Sequence, residues 1–263
     1  MSFVGGEIVI IIIKKEKLKK KFSTVALLLV TLIAIVAMSI SSKDVFLSNK
    51  RKLPIYSVDT KEKKIAITFD ASWREDNTDE IIEILDRYDV KATFFLVGTW
   101  IDHNPEKLKK LHDKGHEIGN HTNSHPDMSS ISRADLLKEI EAVDSKIKNI
   151  TGQGTTLFRF PSGVYNDLVI DTVESTNRYC IQWDVDSIDW KAEGEEIEFN
   201  RVVKKTKPGS IILFHNDGRY TTKTLPRIIE YFKKEGYTMV TVSELIYKSD
   251  FIIDYNGKQI YNK

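Results

Sequence analysis

Two histidines four residues apart, in His121-Thr-Asn-Ser-His125, have a spacing that suits one divalent cation when a single turn of backbone brings both imidazoles to one side. The upstream Gly119-Asn120 and the downstream Pro126 place them in a loop leading into one turn. Other chemistry-bearing residues stand at the ends of apolar runs. Asp70 closes Ile65-Ala-Ile-Thr-Phe. A carboxylate there can take a proton from a metal-bound water, or it can cap the next helix. Arg159 opens Arg159-Phe-Pro-Ser-Gly163. Guanidinium is no base, but it holds a carboxylate bidentately, and Asp70 is the candidate partner. Pro161 fixes φ in the turn that follows, and Gly163 permits backbone strained for other residues. The segment from Trp183 to Trp190 interleaves Asp184, Asp186 and Asp189 with two indoles. Indole faces stack on sugar rings, so Trp190 in a loop points to carbohydrate, while Trp183 within a strand reads as core. His215, after Leu213-Phe214, titrates in the range needed to give a proton to a leaving group. His103, His112 and His116 lie on or beside helical segments and read as structural. Cys180 is the only cysteine, which excludes an intramolecular disulfide, and its apolar neighbours make it a small core residue.

These residues need strands to end where they stand. Strand-like runs cover Ile65–Phe69, Ala92–Val97, Glu117–Gly119, Leu157–Phe160, Tyr179–Asp184, Ser210–Phe214 and Thr238–Val242. Helical patterns lie between them. The clearest is Ser132–Asn149, with Leu136, Ile140, Val143, Ile147 and Ile150 at alternating spacings of four and three. Ser132 and Asp135 make its capping-box start, and Gly152 its stop. Asp79–Tyr88, Pro105–Lys114, Asp167–Thr176 and Leu225–Glu235 read likewise. Alternating strands and helices predict an α/β fold with about seven parallel strands, and strands this short and numerous fit a barrel. In a barrel the C-terminal strand ends converge on one face, so five independent loops would supply one site.

The chain has 263 residues with 39 basic and 38 acidic side chains, so net charge gives no case for nucleic-acid binding. The charge is unevenly placed. Residues 1–23 carry six lysines against Glu7 and Glu16, and Thr24–Ile40 carries no charge. A basic cytoplasmic arm (1–23), a transmembrane signal-anchor (24–41), a stalk (42–60), a catalytic domain (61–248) and a polar tail (249–263) are therefore expected, with the bulk of the chain outside the membrane. Ala37-Met38-Ser39 is a poor cleavage site, which favours a retained anchor over a removed signal. The purine-rich coding potential of Gly5-Gly6-Glu7 places the expected translation start further on, near Val9.

In order, TFDASW, HTNSH, RFPSG, DVDSIDW and LFHND resemble the five motifs of the polysaccharide deacetylases, the NodB-homology domain of carbohydrate esterase family four. The resemblance runs from Lys61 to Ile246. The segment Pro54–Thr60 followed by KKIAITFDASW looks like the branch associated with sporulation in Gram-positive bacteria. The resemblance implies a distorted (β/α) barrel and metal-assisted removal of N-acetyl groups from amino sugars. Asp70 then matches the catalytic base and His215 the general acid. Arg159 matches the residue that positions the base, and Asp189 the acid that orients the histidine. His121 and His125 match two ligands of a zinc, cobalt or manganese ion. Pro161, Trp190 and Leu213 are the expected substrate contacts, with Trp190 the groove wall and Leu213 the pocket for the acetyl methyl. One position departs: the family has a second Asp after the first strand, completing the metal site, and here it is Ala71. Asp76 and Asn123 are the candidate substitutes. The leading expectation is a membrane-anchored, extracytoplasmic, monomeric deacetylase of peptidoglycan or a related wall polysaccharide. The alternatives are a weakly active or inactive glycan-binding barrel and an acetyl esterase on another polysaccharide.

Overall fold

The computed structural model describes residues 18–36, 51–72 and 76–262. The predicted arm up to residue 17, residues 42–50 of the predicted stalk and Trp73 of the first motif lie outside these. The chain divides into two units at Arg51/Lys52.

The first unit contains one described helix, α1 (18–36), exposed along its length. Among the described residues no helix is long and apolar enough to cross a membrane. The physical reason is the position of the lysines. Lys19, Lys20 and Lys21 lie inside α1, so every stretch of 18 of its described residues carries three charges. Residues 37–41 of the predicted anchor lie outside the described set.

The second unit is built on a curled, open half-barrel. Its strands are β2 (Lys64–Ala71), β3 (Thr93–Leu96), β4 (Glu117–Asn120), β5 (Leu157–Arg159), β6 (Tyr179–Ile181), β7 (Val185–Asp186) and β8 (Ile211–His215). They run in the order β6-β5-β4-β3-β2-β8-β7, with every neighbouring pair parallel. β2 is central and buried on both faces, as its near-continuous apolar run requires. The expected parallel α/β architecture is therefore present. The last expected strand is shorter: β9 (Thr238–Met239) pairs only with the start of β2. Thr241 and Glu244 then form a capping box that turns the chain into a short helix (Val242–Leu245), a signal the apolar run concealed.

Helices α2 (Thr78–Arg87), α3 (Gly98–His103), α4 (Pro105–Asp113), α5 (Arg133–Thr151), α6 (Asp167–Glu174), α7 (Glu195–Lys205) and α8 (Thr221–Lys234) connect the strands. α5 forms as its pattern predicts. The Asp135 amide donates to the Ser132 hydroxyl (3.1 Å), Gly152 ends the helix in the left-handed region, and Leu136, Ile140, Val143 and Ile147 are buried.

Residues 55–58, expected as stalk, are part of this unit. The Ile55 amide donates to the Cys180 carbonyl (2.8 Å), and the Gln182 amide to the Ile55 carbonyl (2.7 Å). On the other side the Val58 amide donates to the Gly209 carbonyl (2.9 Å). A Cβ at Gly209 would stand 1.8 Å from the Val58 carbonyl oxygen, so only glycine permits this approach. β1 (Ser57–Val58) also pairs with β11 (Lys258–Tyr261), which pairs antiparallel with β10 (Phe251–Ile253). The predicted tail is thus a hairpin in a second, three-stranded sheet.

Candidate active site

Strand register brings the chemistry together. Phe69 stands opposite Phe94 on one neighbouring strand and Phe214 on the other, and the three rings stack at 4.9 and 5.7 Å between centroids. One residue on, Asp70 stands opposite His215. Alternation along a strand turns Phe69 and Asp70 to opposite faces, so the aromatic stack on one face fixes the acid–histidine pairing on the other.

Asp70 is 5% exposed. Arg159 Nη1 donates to its Oδ1 (2.8 Å), while Oδ2 lies 3.5 Å from His121 Nε2. The expected Arg159–Asp70 pair therefore exists, through one hydrogen bond instead of a bidentate fork. Arg159 Nη2 donates to the Gln182 carbonyl (3.2 Å), and the buried guanidinium lies 4.0 Å from the Phe95 ring centroid. Burial opposes ionisation of Asp70, but Arg159, His121 and His215 outweigh it and hold the carboxyl below its usual range.

His121 Nδ1–H donates to the Arg159 carbonyl (2.9 Å), which fixes the tautomer and leaves Nε2 bare. Burial pushes its pKa down to about 4, so it is neutral near pH 7. Burial lowers that of His125 as well, and the two rings meet edge to face at 5.1 Å. The loop joining them is irregular, with Thr122 and His125 at positive φ (66° and 56°). Side chains not anticipated from the sequence hold it there. Glu139 Oε2 accepts from the Asn123 and Ser124 amides (2.8 Å each), and Oε1 from the Ser124 hydroxyl (2.9 Å). Lys146, two turns along α5, donates to Asn123 Oδ1 (2.8 Å) and Asp102 (2.6 Å). Their sequence signal is helical spacing on the flank of α5, visible only once the loop is known to pack there.

His215 Nδ1–H donates to Asp189 Oδ1 (2.8 Å), and the His215 amide donates to Oδ2 (2.6 Å). Thr221 donates to Oδ2 as well (3.1 Å). Burial disfavours the imidazolium, but the Asp189 hydrogen bond and charge dominate, raising the His215 pKa to about 9.

An open cavity of about 440 Å³ gathers six of the predicted residues: Asp70, His121, His125, Trp190, Leu213 and His215. Ser72, Ser162, Asp186 and Trp183 also line it, so Trp183, read as core from the sequence, is half-buried wall. Trp190 is 59% exposed at this cavity. Arg159 and Asp189 lie behind the lining. Pro161 is buried in the turn Pro161–Gly163, and the next residue, Ser162, reaches the cavity at φ 54°.

A metal ion fits this site only in part. His121 presents a bare Nε2 with its tautomer fixed from behind, as ligating histidines do, and His125 is adjacent. Ala71 is fully buried in the same apolar cluster as Phe69 and Leu96. Neither candidate substitute is free. Asp76 accepts from Trp100 Nε1 (3.1 Å) and Lys107 (2.7 Å), and Asn123 Oδ1 from Lys146. Among the described residues no three His, Cys, Asp or Glu side chains are grouped to hold a metal. The site offers two imidazole donors.

A half-barrel whose strand ends gather a buried Asp–Arg pair, an Asp–His pair and two adjacent imidazoles around one cavity defines a class. The polysaccharide deacetylase family matches residues 57–181. The peptidoglycan-N-acetylmuramic acid deacetylase PdaA of Bacillus subtilis is 30% identical over 199 residues, 74% of this chain and 76% of its own. A peptidoglycan-N-acetylglucosamine deacetylase of Bacillus cereus is 37% identical over 196 residues, 73% of this chain and 92% of its own. Among solved structures, BA3943 of Bacillus anthracis, described as a CE4 family pseudoenzyme, superposes with a TM-score of 0.71 at 31% identity, covering 82% of this chain and 75% of that one. A mutant of it is described as having restored enzymatic activity. The chain belongs to the polysaccharide deacetylase family.

Proposed function

We propose that this protein removes N-acetyl groups from amino sugars of peptidoglycan, during sporulation or other wall modification. The observation that carries the reading is the pairing of Asp70 and His215 on adjacent strands, with environments that push their pKa values apart. Near neutral pH Asp70 is ionised and His215 is an imidazolium. Asp70 takes the proton of the attacking water at its free carboxylate oxygen. His215 gives its Nε2 proton to the departing amine, and Asp189 holds the ring in place through Nδ1–H. Leu213 walls the end of the cavity that receives the acetyl methyl, and Trp190 offers an indole face to the sugar. A lowered pKa makes Asp70 a weak base; His121 and His125 would hold a zinc, cobalt or manganese ion, and such an ion would acidify the water that Asp70 deprotonates. The peptidoglycan deacetylases among the relatives support the substrate class. The lysine-flanked uncharged run 24–40 supports anchoring at the membrane with the catalytic unit outside the cytoplasm.

The test is acetate release by the full chain from peptidoglycan and chitin fragments, with bound metal measured alongside. Release that a chelator stops, and that Asp70→Asn and His215→Ala abolish with the fold intact, is expected. Full activity in either variant refutes the assignment. Ala71 favours a second reading, a glycan-binding barrel with little or no turnover, and the pseudoenzyme relative supports it. In that case the folded protein binds glycan and releases nothing, and release in Ala71→Asp locates the defect at the missing carboxylate.

A further inference from the structure

Behind the Asp189–His215 pair lies a second buried acid that the proposed chemistry does not use. Glu198, in the first turn of α7, is 3% exposed. Thr224 of α8 donates its hydroxyl to Glu198 Oε1, and Oε2 is buried without a hydrogen-bond partner. One turn earlier on α8, Thr221 donates to Asp189 Oδ2 (3.1 Å). α8 therefore presents two hydroxyls, three residues apart on one face, to two carboxyl groups.

The surroundings of Glu198 are mostly acidic. Asp189 faces it from the turn before α7, and Glu195 from its own helix. Nearby cations are engaged elsewhere: Lys223 with Glu195 (3.3 Å), Arg227 with Glu196 (2.7 Å) and Arg201 with the Asp186 carbonyl (2.7 Å). His215 in turn faces Asp189, Asp70 and Asp217. Burial foremost, then the charge of Asp189, raises the Glu198 pKa to about 7, against the pull of the two threonine hydroxyls.

We propose that Glu198 is a positioning residue for His215: a buried acid joined to the Asp189–His215 pair through Thr224 and Thr221, whose own proton sets how tightly His215 holds its proton. When Glu198 ionises, a second negative charge faces the pair and favours the imidazolium, and linkage makes the effect reciprocal. The catalytic consequence rests on the proposed role of His215 as proton donor. The coupling itself is a property of the resting protein and is read without turnover.

The experiment is an NMR titration of the histidine rings in the full chain, with His215 identified by the signal lost in His215→Gln. In the wild type the His215 signal follows a main transition near 9 and a smaller step near 7. In Glu198→Gln the smaller step disappears and the main midpoint falls by about half a unit, roughly a threefold loss of proton affinity. A Glu198→Gln curve that superposes on the wild type overturns the proposal, even if the variant melts earlier, because a merely structural acid lowers Tm without moving the titration. Should Glu198→Gln fail to fold, Thr224→Val keeps the acid and removes a hydroxyl that favours the carboxylate. Its smaller step is expected at higher pH, and an unmoved step overturns the coupling. If the protein releases no acetate, the titration still decides.

Discussion

Asp70 and His215 stand opposite one another on paired strands, yet each is held in its charged form. Asp189 is the residue on which the histidine half of that division depends, since its carboxylate meets both the ring and the amide of His215. Asp189→Asn is expected to bring the His215 midpoint down from about 9 toward the ordinary value of 6.5, read by NMR. Acetate release should fall by roughly 10²–10⁴, the usual worth of a positioned general acid. The wild-type rate should decline as pH rises through about 9. Stability carries the same signature. A histidine whose folded pKa is raised contributes stability that is fully present below its unfolded value and lost as pH climbs through the folded one. The melting temperature should therefore decline between about 6.5 and 9 in the wild type, and less so in Asp189→Asn.

At the scale of elements, α5 does more than cover the sheet. Its inner face packs, while Glu139 and Lys146 on its flank pin the His121–His125 loop. Glu139→Ala leaves two amides and a hydroxyl without their acceptor. Affinity for added zinc should drop about tenfold or more, in line with other outer-layer ligand supports. Amide exchange at Asn123 and Ser124 should accelerate, while the helix interior stays protected. Unchanged zinc affinity together with unchanged exchange would remove Glu139 from this role. The legibility of the sequence follows the same division. Strands β2, β3, β5 and β8 announce themselves, because parallel strands buried on both faces must be apolar. α5 announces itself by period and caps. β7 is too short to show a period, and α7, whose only fully buried side chains are Glu198 and Val202, has too little apolar face. Six cavity-lining residues are readable: Asp70, Leu213 and His215 at the ends of apolar runs, His121 and His125 by their spacing, and Trp190 as an indole in a loop. Trp183 and Ser162 are not: one looks like strand interior, and the other reaches the cavity through a left-handed backbone that its side chain does not advertise.

For the unit as a whole, the open barrel is closed by chain from outside the barrel repeat. Residues 55–58 bond to the end of β6 on one side and to the approach to β8 on the other, and the C-terminal hairpin holds them in place. Gln259, fully buried, accepts from the Tyr247 amide and donates to the Tyr247 carbonyl (2.8 Å each), tying the hairpin to the end of the fold. Deleting residues 249–263 should cost about 2 kcal/mol or more and lower Tm by roughly 5 °C, measured by calorimetry. Equal stability would show the hairpin to be dispensable. The same arrangement has a mechanical side. The chain enters this unit just before the strand that seals its seam, so tension applied from the N-terminal side acts on the Lys52 contacts with Asp167 and Asp171 of α6 and then on the hydrogen bonds of residues 55–59. β1 and β11 run parallel, and a pull along β1 loads their bonds in shear, all together, instead of peeling them one by one. The seam therefore bears such a load before the half-barrel does, and β2, the next strand along the chain, is loaded only after it gives way.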